Sequence, residues 1–329
     1  ETTASGSPPH LADALPLVLL GARGPVGPEW QRLLAQEVSE PIRLLAPAHD
    51  ALDLADGDAV TAWVQTHRPQ VIVNAAAYTA VDKAEDEGKA LDEKINVEGT
   101  INVAEAAKAV GATLVYISTD YVFDGNKQGA YTEVDQTNPL SVYGKSKEAG
   151  ERAIVETIGA GANQDGQYAI LRTSWVYGDG GNFIRTMLRL AKERPELKVI
   201  ADQYGVPTSA DWLAEVGFHL VMSEDRPRHF ASGIYHATPR GRTSWYQLAC
   251  LVVQSALLAG QTLRVSATDV FPIPTSEYPL SALRPMNSCL SSNKLEIELE
   301  RLGIVSKLPH WNTPWDEQVS SYVKHISEE

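Results

Sequence analysis

Five short apolar runs, LPLVLL (15–20), PIRLLA (41–46), QVIVNAAA (70–77), TLVYIST (113–119) and YAILRTSWVY (168–177), punctuate the first half of this chain, with amphipathic stretches between them. Strands and helices laid down in turn read this way. The runs lack the period-two alternation of a half-exposed sheet, which points to parallel strands covered on both faces. PEWQRLLAQEV (28–38) puts Trp30, Leu33, Leu34 and Val38 on one helical face, and LDEKINVEGTINVAEAAKAV (91–110) reads as a longer helix stopped at Gly111. The expected fold is α/β: a doubly wound, Rossmann-type parallel sheet over residues 15–177, with 178–329 mainly a smaller, interleaved substrate-binding lobe that returns some segments to the sheet. In that second part, the helical stretches 209–222 and 245–260 are separated by proline-rich connections such as FPIPTSEYPLSALRP.

The formal net charge of −14 makes the averaged field repel nucleic acid and anionic membranes. A phosphate-bearing ligand must then be held by local devices, such as a helix N-terminus or single arginines. No apolar run approaches the ~20 residues of a membrane helix. The two cysteines, Cys250 and Cys289, stand in no metal-ligand spacing and suit a reducing cytoplasm. Residues 1–14, small, polar and proline-bearing, read as a loose tail rather than a signal peptide.

Gly21-Ala-Arg-Gly24-Pro-Val-Gly27 follows the first apolar run and opens the first helix. Its G-x-x-G-x-x-G spacing differs by one residue from the dinucleotide fingerprint but serves the same chemistry: glycine tightens the turn, lets backbone approach a pyrophosphate, and leaves helix N-terminal amides facing it. Gly21, Arg23, Gly24, Pro25, Val26 and Gly27 are the expected cofactor contacts there, joined by Asp53 and Leu54 near the adenine and by Ala75, Ala76, Ala77, Tyr78 and Thr79 after the third run. No carboxylate ends the second run, near Ala46 and Pro47, to grip an NAD ribose. Arg23 could meet a 2′-phosphate, favouring NADPH over NADH, or could be a solvated turn residue.

Tyr143-Gly-Lys-Ser-Lys147 begins the amphipathic stretch KEAGERAIVETI, so Tyr143 and Lys147 fall one turn apart on one helical face. With twelve tyrosines, such a spacing is not decisive alone. Thr119, ending its strand, would enter the same crevice, because ligands of open α/β sheets bind beyond the carboxyl ends of the strands. The expected reaction is hydride delivery to a carbonyl carbon, with Tyr143 as proton donor, Thr119 bonding the oxygen, and Lys147 lowering the tyrosine pKa. The competing readings make Tyr143 a helix-start packing residue and Thr119 an ordinary strand-end hydroxyl.

The segments VIVNAAAYTAVDKAE, INVEGT, STDYVFDG, NPLSVYGKSKEAGE, LRTSWVYG, NFIRTMLRLAKE, VIADQYGVPTSA and SALRPMNSCLSSNKL resemble the extended short-chain dehydrogenases, and within them the dTDP-4-dehydrorhamnose reductases. The resemblance implies NADPH-dependent reduction of a 4-keto group to give dTDP-L-rhamnose. It makes Thr119, Tyr143 and Lys147 the catalytic set and puts Thr119, Asp120 and Trp175 on the sugar. Trp175 as core filling, and Arg284 as either a diphosphate clamp or a structural ion pair, stay open. Some relatives form Mg²⁺-linked dimers: Glu29 and Asp211 match two carboxylate positions, but Ser321 stands at the third, which counts against the metal and leaves a homodimer open. Two other functions remain: reductase or epimerase of another nucleotide-sugar, and a non-catalytic regulatory subunit of the methionine adenosyltransferase type.

Overall fold

The computed structural model describes residues 15–36, 42–77, 79–159, 166–224 and 226–329; the tail, Val38 and Tyr78 lie outside them. Strands β1 (Leu15–Leu20), β2 (Ile42–Leu45), β3 (Val71–Asn74), β4 (Thr113–Thr119) and β5 (Gln167–Thr173) form a parallel sheet with a sixth strand, Gly233–His236. Its order is β2-β1-β3-β4-β5-sixth strand. The direction of winding reverses between β1 and β3, so a crevice opens there at the carboxyl ends. The register aligns Leu20 with Asn74 and Asn74 with Tyr116, which brings the residues after each strand to one rim.

Alternate strand residues serve two cores. Leu17, Leu19, Val71, Val73, Val115 and Leu171 face one side, where they meet α1 (Gly27–Gln36), α8 (Ala210–Val221) and α10 (Asn293–Arg301). Val18, Leu20, Ile72, Leu114 and Ile170 face the other, against α2 (Gly57–His67), α5 (Gly99–Val110) and α6 (Val142–Ile158). Sandwiching between two helical layers explains why the strands show no polar face. The helix α5 ends as expected, with Gly111 at φ 66°.

Two local readings need correction. The stretch 91–110 is not a uniform α-helix: after α3 (Val81–Ala84) and α4 (Lys89–Asp92), residues Glu93–Glu98 form a π turn that leads into α5. Asn96 lies on that turn and bonds both Asp92 Oδ1 (3.0 Å) and the Ser146 hydroxyl (3.1 Å). The fifth run is not one strand either; it breaks at Ser174–Trp175, where Trp175 adopts φ 47°, and resumes as Val176–Tyr177 paired with Thr208–Ser209. Helices α7 (Phe183–Glu193), α9 (Trp245–Leu258) and α11 (Trp315–Ile326) pack with the parallel ribbon Leu197–Ile200 and Val270–Ile273 into a separate apolar cluster. Among the described residues, no helix is long and apolar enough to cross a membrane.

Candidate active site

The glycine turn lies at the reversal point of the sheet. Gly21 has φ 76°, and a Cβ there would stand 2.6 Å from the backbone of Ala75, so the turn presses on the chain leaving β3. Gly24 N donates to Gly21 O at 2.9 Å, and a Cβ on Gly27 would stand 2.4 Å from Ala22, so α1 starts flush against the turn. Facing it, Ala75, Ala76 and Ala77 add no bulk to the floor, with Ala75 N bonded to Leu20 O (3.0 Å) and Ala76 N to Asn74 Oδ1 (3.2 Å). The glycines and alanines, at the N-terminus of α1, make a bulk-free cradle that fits a pyrophosphate. Val26 is buried, whereas Arg23, Pro25 and Thr79 are exposed at the rim. Asp53 is exposed, and its carboxylate accepts from Ala55 N at 3.0 Å; Leu54 packs on Gly99 and its carbonyl accepts from Asn102.

Ser141 caps α6 by accepting from Gly144 N at 3.0 Å, and this fixes where Tyr143 and Lys147 enter the crevice. Gly144 permits the docking, because a Cβ there would lie 2.3 Å from Tyr121 O. The Tyr143 ring meets Tyr121 edge-on at 5.9 Å, and its phenol faces the Thr119 hydroxyl. Thr119 accepts from Tyr121 N (3.1 Å) and donates to Asp120 Oδ1 (3.4 Å). Lys147 is buried; its amine donates to Ile117 O at 2.8 Å and lies 4.0 Å from the Tyr116 ring centroid. Fold and caps therefore bring Thr119, Tyr143 and Lys147 together. The electrostatics differ from the expectation. Burial, helped by the charge of Asp120, pushes the Tyr143 phenol well above the ordinary tyrosine range, and burial pushes Lys147 down to about 7. The charges that act on Lys147 are those of Glu151 and Asp92.

A second layer, which the spacing of residues does not announce, supports this set. Asp92, Asn96 and Ser146 tie the π turn to α6, and Ser146 also donates to Tyr143 O at 2.9 Å. Under Thr119, Ser118 donates to Glu151 Oε2 (2.5 Å), and Glu151 holds Arg172 through Oε1 (2.7 Å) and Oε2 (3.0 Å), all of them buried.

This geometry of glycine turn, strand-end threonine and Tyr/Lys helix has counterparts. The family model for the RmlD substrate binding domain matches residues 15–326. The chain is 42% identical over 299 residues to a dTDP-4-dehydrorhamnose reductase of Burkholderia thailandensis, covering 90% of this chain and 95% of that one. The chain belongs to the dTDP-4-dehydrorhamnose reductase family.

Solved members share its shape: a dTDP-4-dehydrorhamnose reductase of Clostridium acetobutylicum superposes with TM-score 0.79 at 35% identity over 95% of this chain and 99% of that one. One from Bacillus anthracis, in complex with NADP, gives TM-score 0.79 at 33% identity with the same coverage. Within this dTDP-4-dehydrorhamnose reductase family chain, three positions carried by resemblance are engaged by neighbours. Trp175 is half-buried and stacks on Trp245 (centroids 3.6 Å, 16°), with Gly205 against its six-membered ring, so one indole face is already covered. Arg284 forms a bidentate pair with Asp82 (2.6 and 2.8 Å). Glu29 is buried, and Arg32 stands 3.7, 3.2 and 3.4 Å from Glu29, Asp179 and Asp211. A guanidinium amid these carboxylates does the work of a cation, and Ser321 is exposed on α11, so the residues do not fit a divalent site.

Proposed function

We propose that this chain reduces the 4-keto group of dTDP-4-dehydro-6-deoxy-L-mannose to give dTDP-L-rhamnose, using NADPH. The observation that carries the reading is the convergence of Thr119, Tyr143 and Lys147 beside the glycine turn, in a chain of this family. The bound nicotinamide supplies the hydride. Tyr143 donates its phenolic proton to the sugar oxygen as that oxygen gains charge, and Thr119 bonds the same oxygen. A phenol held neutral by burial suits a proton donor, and the Lys147 amine, one turn on, sits where its protonated form steadies the phenolate left behind. Gly21, Gly24 and Gly27 would cradle the pyrophosphate, and exposed Arg23 would meet a 2′-phosphate. Residues 15–177 would hold the cofactor and most of 178–329 the sugar, with Asp120 at the junction. The absence of paired cysteines among the described residues fits a reducing cytoplasm.

The test is oxidation of NADPH and of NADH with a dTDP-4-keto-6-deoxy sugar, followed by NMR of the C4 configuration of the product. Net NADPH consumption and a rhamno-configured product support the proposal, whereas a changed sugar without net consumption indicates an epimerase. Tyr143→Phe is expected to lower kcat by roughly 10²–10⁴ while NADPH still binds; unchanged turnover refutes the role given to the phenol.

A further inference from the structure

Asp120 is 3% exposed and follows Thr119 directly at the end of β4. Its Oδ1 accepts from the Thr119 hydroxyl at 3.4 Å, the Ser288 hydroxyl is its other side-chain partner, and its Oδ2 is buried with no hydrogen-bond partner. Among the described residues, no cation is paired with it. The other carboxylates set into this fold have a cation at hand: Glu151 has Arg172, Asp82 Arg284 and Glu298 Arg301, while Glu29 and Asp92, which also keep one unpartnered oxygen, have Arg32 at 3.7 Å and the charge of Lys147. Burying an ionised carboxylate without such a match is costly, whereas the neutral acid leaves only dipoles to satisfy. Reduction raises that cost further. Hydride addition puts negative charge on the sugar oxygen, and proton donation leaves a phenolate at Tyr143; a carboxylate beside both would be a like charge in a site shielded from water.

We propose that Asp120 works as a neutral carboxylic acid during the reduction, and that its ionisation switches the reduction off. The proposal rests on the reading of Tyr143 as proton donor. Burial pushes the Asp120 carboxyl up to about 7, so the switch falls within the working range. The titratable and charged groups around it are Tyr121 on its own segment; Tyr143 on α6, with Lys147 one turn on; Cys289 beside Ser288; Arg284, which reaches it through Tyr121; and Arg242, which reaches it through Cys289. Lys147, pushed down to about 7, titrates over the same interval, so the experiment must separate the two groups.

The full chain is studied by pH-dependent infrared difference spectroscopy and by kcat profiles, in wild type, D120N and D120E. Expected in wild type is a protonated-carboxyl band that is lost as pH rises through about 7 and is missing from D120N. Each proton required for turnover costs roughly tenfold in kcat per pH unit on the alkaline side. The limiting alkaline slope of log kcat should therefore be shallower by one in D120N, whose amide cannot ionise, while Lys147 is unchanged; D120E should restore the steeper slope. Equal slopes in wild type and D120N, or no carboxyl band assignable to Asp120, overturn the proposal. A fully active Tyr143→Phe would instead overturn the reading beneath it.

Discussion

Replacing Glu151 by glutamine removes one charge from the most buried ion pair among the described residues and leaves the other behind. Arg172 is 2% exposed and Glu151 3%; the guanidinium donates to Oε1 at 3.1 and 2.7 Å and to Oε2 at 3.0 Å. The remaining neighbour of Arg172 is the His236 ring at 3.3 Å, which burial, aided by Arg172 itself, holds down at about 3 and therefore neutral. Among the described residues no other carboxylate bonds the guanidinium, so Glu151→Gln should cost about 3–5 kcal/mol, the penalty for an orphaned buried charge. A Coulomb attraction of about 4 kcal/mol at an effective dielectric of ~20 agrees with that scale. The assay is urea unfolding, with the midpoint falling at an unchanged slope. The double variant Glu151→Gln/Arg172→Met should recover most of the loss, since neither charge then remains and the methionine can still pack on Phe123, over whose ring Arg172 lies at 5.1 Å. A single variant within ~1 kcal/mol of wild type, or a double variant as unstable as the sum of the two singles, refutes the reasoning.

Gly21→Ala should cost about 2–3 kcal/mol and weaken NADPH binding, because φ 76° disfavours a side chain and the new Cβ would press on Ala75 at 2.6 Å; a wild-type melting temperature would count against this. Asp82→Asn should cost under ~1 kcal/mol at neutral pH, since the pair with Arg284 is partly exposed. Arg284 holds the Asp82 carboxyl below the usual carboxylate range, so the stabilisation is full above an unfolded pKa of about 4 and is lost as pH falls through the lower folded value. Wild type and variant should therefore converge in unfolding experiments at about pH 2, and a gap that persists there would contradict the pairing.

What could be read from the chain alone was local. The runs 15–20 and 113–119 and the first part of 168–177 declared themselves as strands because residues covered on both faces must be apolar throughout, and Gly21 to Gly27 declared a tight βα turn because glycine alone tolerates the angle at Gly21 and the close contacts there. The four-residue spacing of Tyr143 and Lys147 placed them on one helical face before any tertiary contact was known. The strand Gly233–His236 escaped, being too short to show a pattern. Partners distant in the chain escaped for a different reason. Arg284 meets Asp82 across 202 residues, Ser118 meets Glu151 across 33, and Trp175 meets Trp245 only after the fifth run breaks. Charge states belong with these: the raised Tyr143, the lowered Lys147 and the unmatched Asp120 follow from burial, a property of the packed chain and not of any residue or spacing within it.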